Sequence, residues 1–260
     1  MAKAQRGIQS IEVGGALLKA LAADGRALSL GDLARRAGMT AAKAHPYLVS
    51  FGKLGLVEQE AASGRYALGP FSLQLGLASL QRLDPVRIAL AEAAGLADAL
   101  GQTVALAVAG SHGPTVVSLT ESRRPIHVNM RAGTVMSLTN TATGRVFAAY
   151  LPRAEVERLI AREAGDGEVL TAPRGRRPSP TDLDRLADEV RRHGLARTTD
   201  RPIPGVSALS APVFDAWGRL ALAMTVTGPT GTLDIAWTGS AARTLAAAAK
   251  RVSIRLGAPL

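Results

Sequence analysis

Few residues in this 260-residue chain are spaced for covalent chemistry. Ser207 lies in GVSAL, which begins like the strained strand-to-helix turn that presents a serine nucleophile. Leu209 stands where that turn requires glycine. GPTGT (228–232) has the glycines of a phosphate-binding loop without the lysine that must follow, and reads as a turn. The four histidines, His45, His112, His127 and His193, show no metal-ligand spacing, and RGRR (174–177) reads as a solvated loop. The chain contains no cysteine, which removes disulfides, thiolate metal sites and a cysteine nucleophile. Nothing in these patterns calls for an enzyme, and no cofactor or metal is expected.

Binding chemistry is better represented. In SLTNTATGRVF (137–147), Asn140 or Thr141 can cap a helix whose first free N–H groups belong to Ala142 and Thr143. A helix start of this kind attracts an anion such as a carboxylate, and small side chains allow it to come close. A second stretch, TAAKAHPYLVSF (40–51), reads as a helix capped by Thr40, with Ala44, Tyr47, Leu48 and Phe51 on its apolar face. Pro46 interrupts it. It has no N–H to give Ala42 and its ring crowds that carbonyl, at a cost of roughly 3 kcal/mol.

These stretches need a scaffold, and the composition supplies one. With 47% hydrophobic and 20% charged residues the chain can bury a core, and with 3% aromatics that core is Leu, Val and Ala. Glu12 and Lys19 interrupt the apolar N-terminal stretch, so it reads as neither a signal peptide nor a membrane span; a cytoplasmic protein is expected. The net charge of +10 suits a polyanionic partner. Residues 1–80 hold nine basic and five acidic side chains, and the remainder 22 and 16, so the excess is spread and charge alone locates no nucleic-acid site.

Along the chain, Ile8, Ile11, Leu17, Leu18 and Leu21 outline a first helix, and SLGDLARRAG a second, with Ser29 as cap and Asp32 placed for a capping box. The Pro46 helix is the third. Two short strands around an Ala-Ser-Gly turn follow in LVEQEAASGRYALG. That order is a winged helix-turn-helix, expected over 1–69. GPFSLQLGLASLQRLD predicts a linker helix over 70–84, with Leu73, Leu77 and Leu80 as one stripe. Pro85 punctuates, and a helix over about 86–100 leads into TVALAVAG, TVVSLTES and IHVNMRAG as strands. TATGRVFAAYL, RAEVERLIARE and TDLDRLADEVRRHG follow as helices. VSALSAPVF and RLALAMTVTG form a hairpin around 215–218, and an Ala-rich helix starts near Asp234. Clustered strands and helices predict an α+β domain over 85–260 with an antiparallel sheet.

GDLARRAG, AHPYLVSFGKLGLVEQEAASGRYALGP, TATGRVFAAYLP and RRHGLARTTDRPIPGVSALSAPVFDAWGRLALAMTVTGP together resemble the IclR family of bacterial transcription regulators. The resemblance implies an N-terminal winged helix-turn-helix that binds double-stranded operator DNA as a homodimer, often within a tetramer. It also implies a GAF-like C-terminal domain that binds a small organic acid, aromatic acids included. Carried over by position, effector contacts fall on Ala142, Thr143, Thr198, Ala208, Thr225 and Thr227, with Val128 and Met136 as apolar wall. Family members often have an acidic residue at Thr198 and a cysteine at Ala208, so this pocket is expected to be less charged and slightly larger.

By the same resemblance the Pro46 helix is the recognition helix, and Pro46 stands where the family usually has arginine. The DNA-contact candidates are Thr40, Lys43, His45, Ser50 and Lys53, with Arg35 and Arg36 ahead and Arg65 on the wing. Lys43 and His45 are the candidates for base edges, the others for backbone. Pro46 is expected to be absorbed by a kink or by a helix whose regular part starts late. The leading reading is a ligand-responsive DNA-binding regulator without membrane attachment. The alternative is a small-molecule-binding protein whose operator binding is weakened or lost through Pro46.

Overall fold

The computed structural model describes residues 7–121, 130–163 and 178–259. The chain divides into two compact units, the first ending at Leu83 and the second beginning at Asp84. In the first unit, α1 (Gln9–Asp24), α2 (Leu30–Arg36) and α3 (Ala41–Lys53) precede a hairpin of β1 (Val57–Gln59) and β2 (Tyr66–Leu68). Leu28 adds an isolated bridge to Tyr66, which anchors the wing to the segment before α2. Leu17, Leu21, Leu33, Ala44, Leu48, Val57 and Tyr66 form the core. The apolar stripe of α1 begins later than its sequence suggests: Ile8 and Ile11 are 64% and 68% exposed, whereas Leu17 and Leu21 are buried. Ser29 caps α2, but Asp32 bonds the Ser29 hydroxyl, and the reciprocal half of a capping box is not formed.

The helix α3 is unbroken through Pro46 and begins at Ala41 under the Thr40 cap, so its regular part does not start late. Ala42 is exposed, which leaves its carbonyl to water, and the Ser50 hydroxyl donates to the Pro46 carbonyl at 3.0 Å. Ala44 and Leu48 bury their side chains on either side of the proline and hold both halves on one core. The next helix, α4 (Pro70–Leu80), belongs to the first unit and buries none of its residues.

The second unit opens with α5 (Pro85–Leu100), capped by Asp84, and the hairpin of β3 (Thr103–Gly110) and β4 (Gly113–Thr120). Helices α6 (Ala142–Tyr150), α7 (Arg153–Glu163) and α8 (Pro180–His193) follow. Then come β5 (Ala196–Thr199), β6 (Val206–Phe214), β7 (Leu220–Pro229) and α9 (Ser240–Arg255). The sheet has the order β4-β3-β7-β6-β5, every neighbour antiparallel, as expected for the α+β class. Helix α6 packs on β5, β6 and β7, while α5 and α9 pack on each other and on the sheet. No helix among the described residues is long and apolar enough to cross a membrane.

Four expectations change here. The strand read at IHVNMRAG falls mostly outside the described residues, and residues 130–133 are not strand. The strand β5 was not foreseen, because ARTT carries no alternating apolar pattern. The cap of α8 is Ser179, in a full capping box with Asp182, two residues before the Thr181 start. And α9 begins at Ser240, since the Asp234 carboxylate takes the Ala236 N–H and holds the preceding turn out of the helix.

One close approach fixes α6. A Cβ on Gly144 would lie 1.9 Å from the Ser137 carbonyl oxygen and 2.6 Å from Leu138 Cα, so only glycine lets the 137–138 backbone reach the helix. Gly144→Ala is therefore expected to destabilise the second unit by about 3 kcal/mol, the upper range of overpacking. Urea denaturation should show a lowered midpoint at an unchanged m-value; an unaltered midpoint would mean that this contact relaxes freely.

Candidate functional site

The first turn of α6 is held from three directions. Thr141 caps it, its Oγ1 accepting the Gly144 N–H at 2.9 Å and donating to the Ser137 carbonyl at 2.8 Å. Glu163, at the end of α7, accepts the Leu138 N–H at 2.6 Å and the Ser137 hydroxyl at 3.1 Å. Arg145 donates to the Thr139 and Arg197 carbonyls, both at 2.9 Å, and so ties the loop to β5. Burial pushes the Glu163 carboxyl above its usual range against those two hydrogen bonds, and burial likewise holds the Arg145 guanidinium below its ordinary value. The N–H groups of Ala142 and Thr143 precede the reach of the intrahelical ladder and have no intrahelical acceptor.

Those two residues face a cavity of about 110 Å³. Seven of the eight effector residues expected from sequence line it: Met136, Ala142, Thr143, Thr198, Ala208, Thr225 and Thr227. The eighth, Val128, lies outside the described residues. The sheet register explains the convergence. Thr198 pairs with Ala208 and Ala208 with Thr227, so three adjacent strands present these side chains in a row beneath the start of α6. Sequence reading missed Met130, which adds to the apolar wall, and the mouth residues Arg201 and Ile203, both exposed. Their loop carries no periodic signal that would aim it at a cavity.

The hydroxyls are not equivalent. Thr225 Oγ1 lies 2.8 Å from Thr143 Oγ1 and donates to Ser210 Oγ at 2.9 Å, a buried chain that uses its capacity internally. Thr227 Oγ1 donates to the Ser207 carbonyl at 3.4 Å. Thr198 Oγ1 alone is buried with no partner, in a residue 3% exposed. A buried hydroxyl without a partner is costly, so Thr198 is the lining hydroxyl with capacity left for a further hydrogen bond. The other candidates for chemistry are occupied elsewhere: Ser207 Oγ pairs with Thr230 Oγ1 at 3.0 Å, and the His193 ring stacks on Trp237. RGRR and His127 lie outside the described residues.

In the first unit all eight DNA-contact candidates are exposed, but their charges are not equally available. Arg35 pairs with Asp32, and Arg36 with the nearly buried Asp24, which also takes Arg26 at 3.1 Å. Arg65 reaches the Ala27 carbonyl at 3.5 Å, Ser50 is bonded to Pro46, and the Thr40 hydroxyl caps α3. Among the described residues Lys43 and Lys53 enter no ion pair, and with His45 they stand out from α3 into solvent.

A winged helix joined to a separate sheet domain with its own cavity is the build of a DNA-binding regulator that senses a small molecule. Two family profiles cover the chain, the IclR helix-turn-helix domain over residues 10–61 and the "bacterial transcriptional regulator IclR C-terminal" domain over 77–254. The chain belongs to the IclR family of transcription regulators, whose members are not enzymes. It is 35% identical over 229 residues to the glycerol operon regulatory protein of Streptomyces griseus, covering 86% of each chain. To that of Streptomyces coelicolor it is 32% identical over 234 residues, covering 88% of this chain and 87% of the relative. Among solved structures, Pseudomonas aeruginosa HmgR superposes with a TM-score of 0.83 at 39% identity, covering 96% of this chain and 99% of that one.

Two outcomes follow from the site. Thr198→Val keeps shape and β-branching while removing the unpartnered hydroxyl, so the ligand-free protein should gain about 1 kcal/mol in urea denaturation. A loss of stability would show that the hydroxyl has a partner. Because the folded carboxyl of Glu163 titrates above its unfolded value, its contribution is fully present below the ordinary carboxylate range and is lost as pH rises through the raised value. Glu163→Gln should flatten the stability profile above pH 4.5, and an unchanged slope would mean that this carboxyl titrates normally.

Proposed function

We propose that the protein is a ligand-controlled operator-binding regulator, acting as a homodimer in the cytoplasm. In this reading α3 enters the major groove with Lys43 and His45 toward base edges, and Lys53, Arg65 and the paired Arg35 and Arg36 set the protein on the backbone. The cavity of the second unit takes a small organic acid with an apolar body, aromatic acids included. The observation that carries the ligand class is the lining: N–H groups of Ala142 and Thr143, one unpartnered hydroxyl, and no acidic side chain among the described residues. Ligand binding would then shift the balance between two dimer arrangements through its differential affinity for them.

Support for retained DNA binding comes from α3, which runs unbroken past Pro46 and keeps its outward cations free. Support for a dimer comes from α4, where Leu73, Leu77 and Leu80 lie on one stripe and are 65%, 50% and 36% exposed, an apolar face suited to a second copy. The two Streptomyces relatives are named for a glycerol operon, so glycerol is the neutral control ligand. The N–H groups at the start of α6, with no acidic side chain among the described lining residues, favour an acid over it.

Mobility shifts on the DNA flanking the gene, with and without small acids and glycerol, test the reading. A specific fragment should be retarded, and an acid but not glycerol should change that retardation. No retarded fragment from folded dimers would remove the operator-binding function. Position 46 supplies a sharper measurement. Pro46→Arg restores an N–H and adds a cation on the exposed face of α3. If that face lies on the DNA backbone, binding to operator and random DNA should tighten together, and the log–log salt slope should steepen by about 0.9. Equal affinities and slopes would place α3 in another orientation.

A further inference from the structure

Arg201 has no counterpart in the anion site read from sequence. It is the charged side chain of the described cavity lining, it lies exposed at the mouth, and it makes no ion pair or hydrogen bond among the described residues. Its neighbour Asp200 does not neutralise it by contact: Asp200 Oδ1 accepts the Gly205 N–H at 2.9 Å and the Thr230 hydroxyl at 2.7 Å, closing the loop that carries Arg201. The α6 end of the cavity lies deep, with Ala142 and Thr143 each 1% exposed. Two anion-attracting groups therefore stand at different depths of one cavity, and Met130, Met136, Val206 and Ala208 supply apolar wall.

A helix start by itself would not define a site. Here the unpartnered, buried Thr198 hydroxyl in the same lining is independent evidence of a polar ligand group at depth. A single carboxylate held at the inner, α6 end of the cavity leaves the guanidinium at the mouth without an anion. We propose that the cavity selects a small organic dianion, with one acidic group on Ala142 and Thr143 and the second on Arg201. Arg201 is then the residue that separates diacids from monoacids. This rests on the acid reading given above.

The test is calorimetry on the full chain with matched pairs: butyrate and succinate, hexanoate and adipate, benzoate and terephthalate. In at least one pair the diacid should bind more tightly by about tenfold or more, the scale of a charge-assisted hydrogen bond. Arg201→Gln, at an exposed position, should abolish that preference and leave the monoacid unchanged, and Arg201→Lys should keep part of it. Diacids no tighter than monoacids on the unaltered protein would overturn the proposal. So would Arg201→Gln weakening both members equally, which would put Arg201 on the single inner carboxylate, or weakening neither. Those results leave the acid reading standing. Binding of no acid in any pair would remove that reading and this proposal together.

Discussion

The second unit depends on how closely the 137–138 backbone can be pressed against α6. With hydrogen alone on Cα of residue 144, the Ser137 carbonyl reaches the helix and the Thr141 hydroxyl that caps it. Glu163 then grips the same loop from α7, and Arg145 ties it to β5. These contacts point the free end of the α6 ladder at the sheet and away from bulk water. Removing water is what gives the partial charge of a helix terminus its strength, because the same dipole is largely screened at a surface. The site is thus set by backbone approach first and by side-chain chemistry second.

Most of the scaffold was legible in the sequence because it rests on local signals. Caps at Ser29, Thr40 and Thr141, left-handed glycines after α1 and α8, and the turn at 215–218 each fix an element within a few residues. The pocket residues were reached through family resemblance, and the structure places all those it describes around one cavity. What stayed hidden is non-local. ARTT becomes β5 because β6 offers it an edge, and ARTT has no pattern of its own. Whether a threonine hydroxyl is free depends on which threonines face each other across strands, so Thr225 and Thr198 look alike in sequence and differ in the fold. Arg201 reaches the mouth through an irregular loop, and loop direction has no period to read.

Charge in the first unit shows a related division. Three arginines near the α1–α2 corner engage two aspartates, with Asp24 almost out of solvent beneath Arg26 and Arg36. The fully exposed Arg35–Asp32 pair adds little stability by itself, and all three pairs hold their guanidinium groups in a defined direction. Lys43 and Lys53 carry no such restraint. The corner thus offers preset donors while α3 offers unrestrained ones; in the DNA complex proposed above, the fixed groups would set register and the adaptable ones would follow the groove.

The rim of the sheet has a further consequence. Pairing with β5 stops at Ser210, and beyond it the outer edge of β6 meets Pro212, which has no N–H, and Phe214, whose N–H is taken by the Ser253 hydroxyl at 3.0 Å. On the opposite rim, the 133–136 segment hydrogen-bonds to β4 at Pro114 and Val116. Neither stretch has a row of donors to lend a neighbouring strand. Two copies of this domain therefore cannot be stitched into one sheet along those stretches; any association there would rest on side chains, a contact more easily undone than a shared strand.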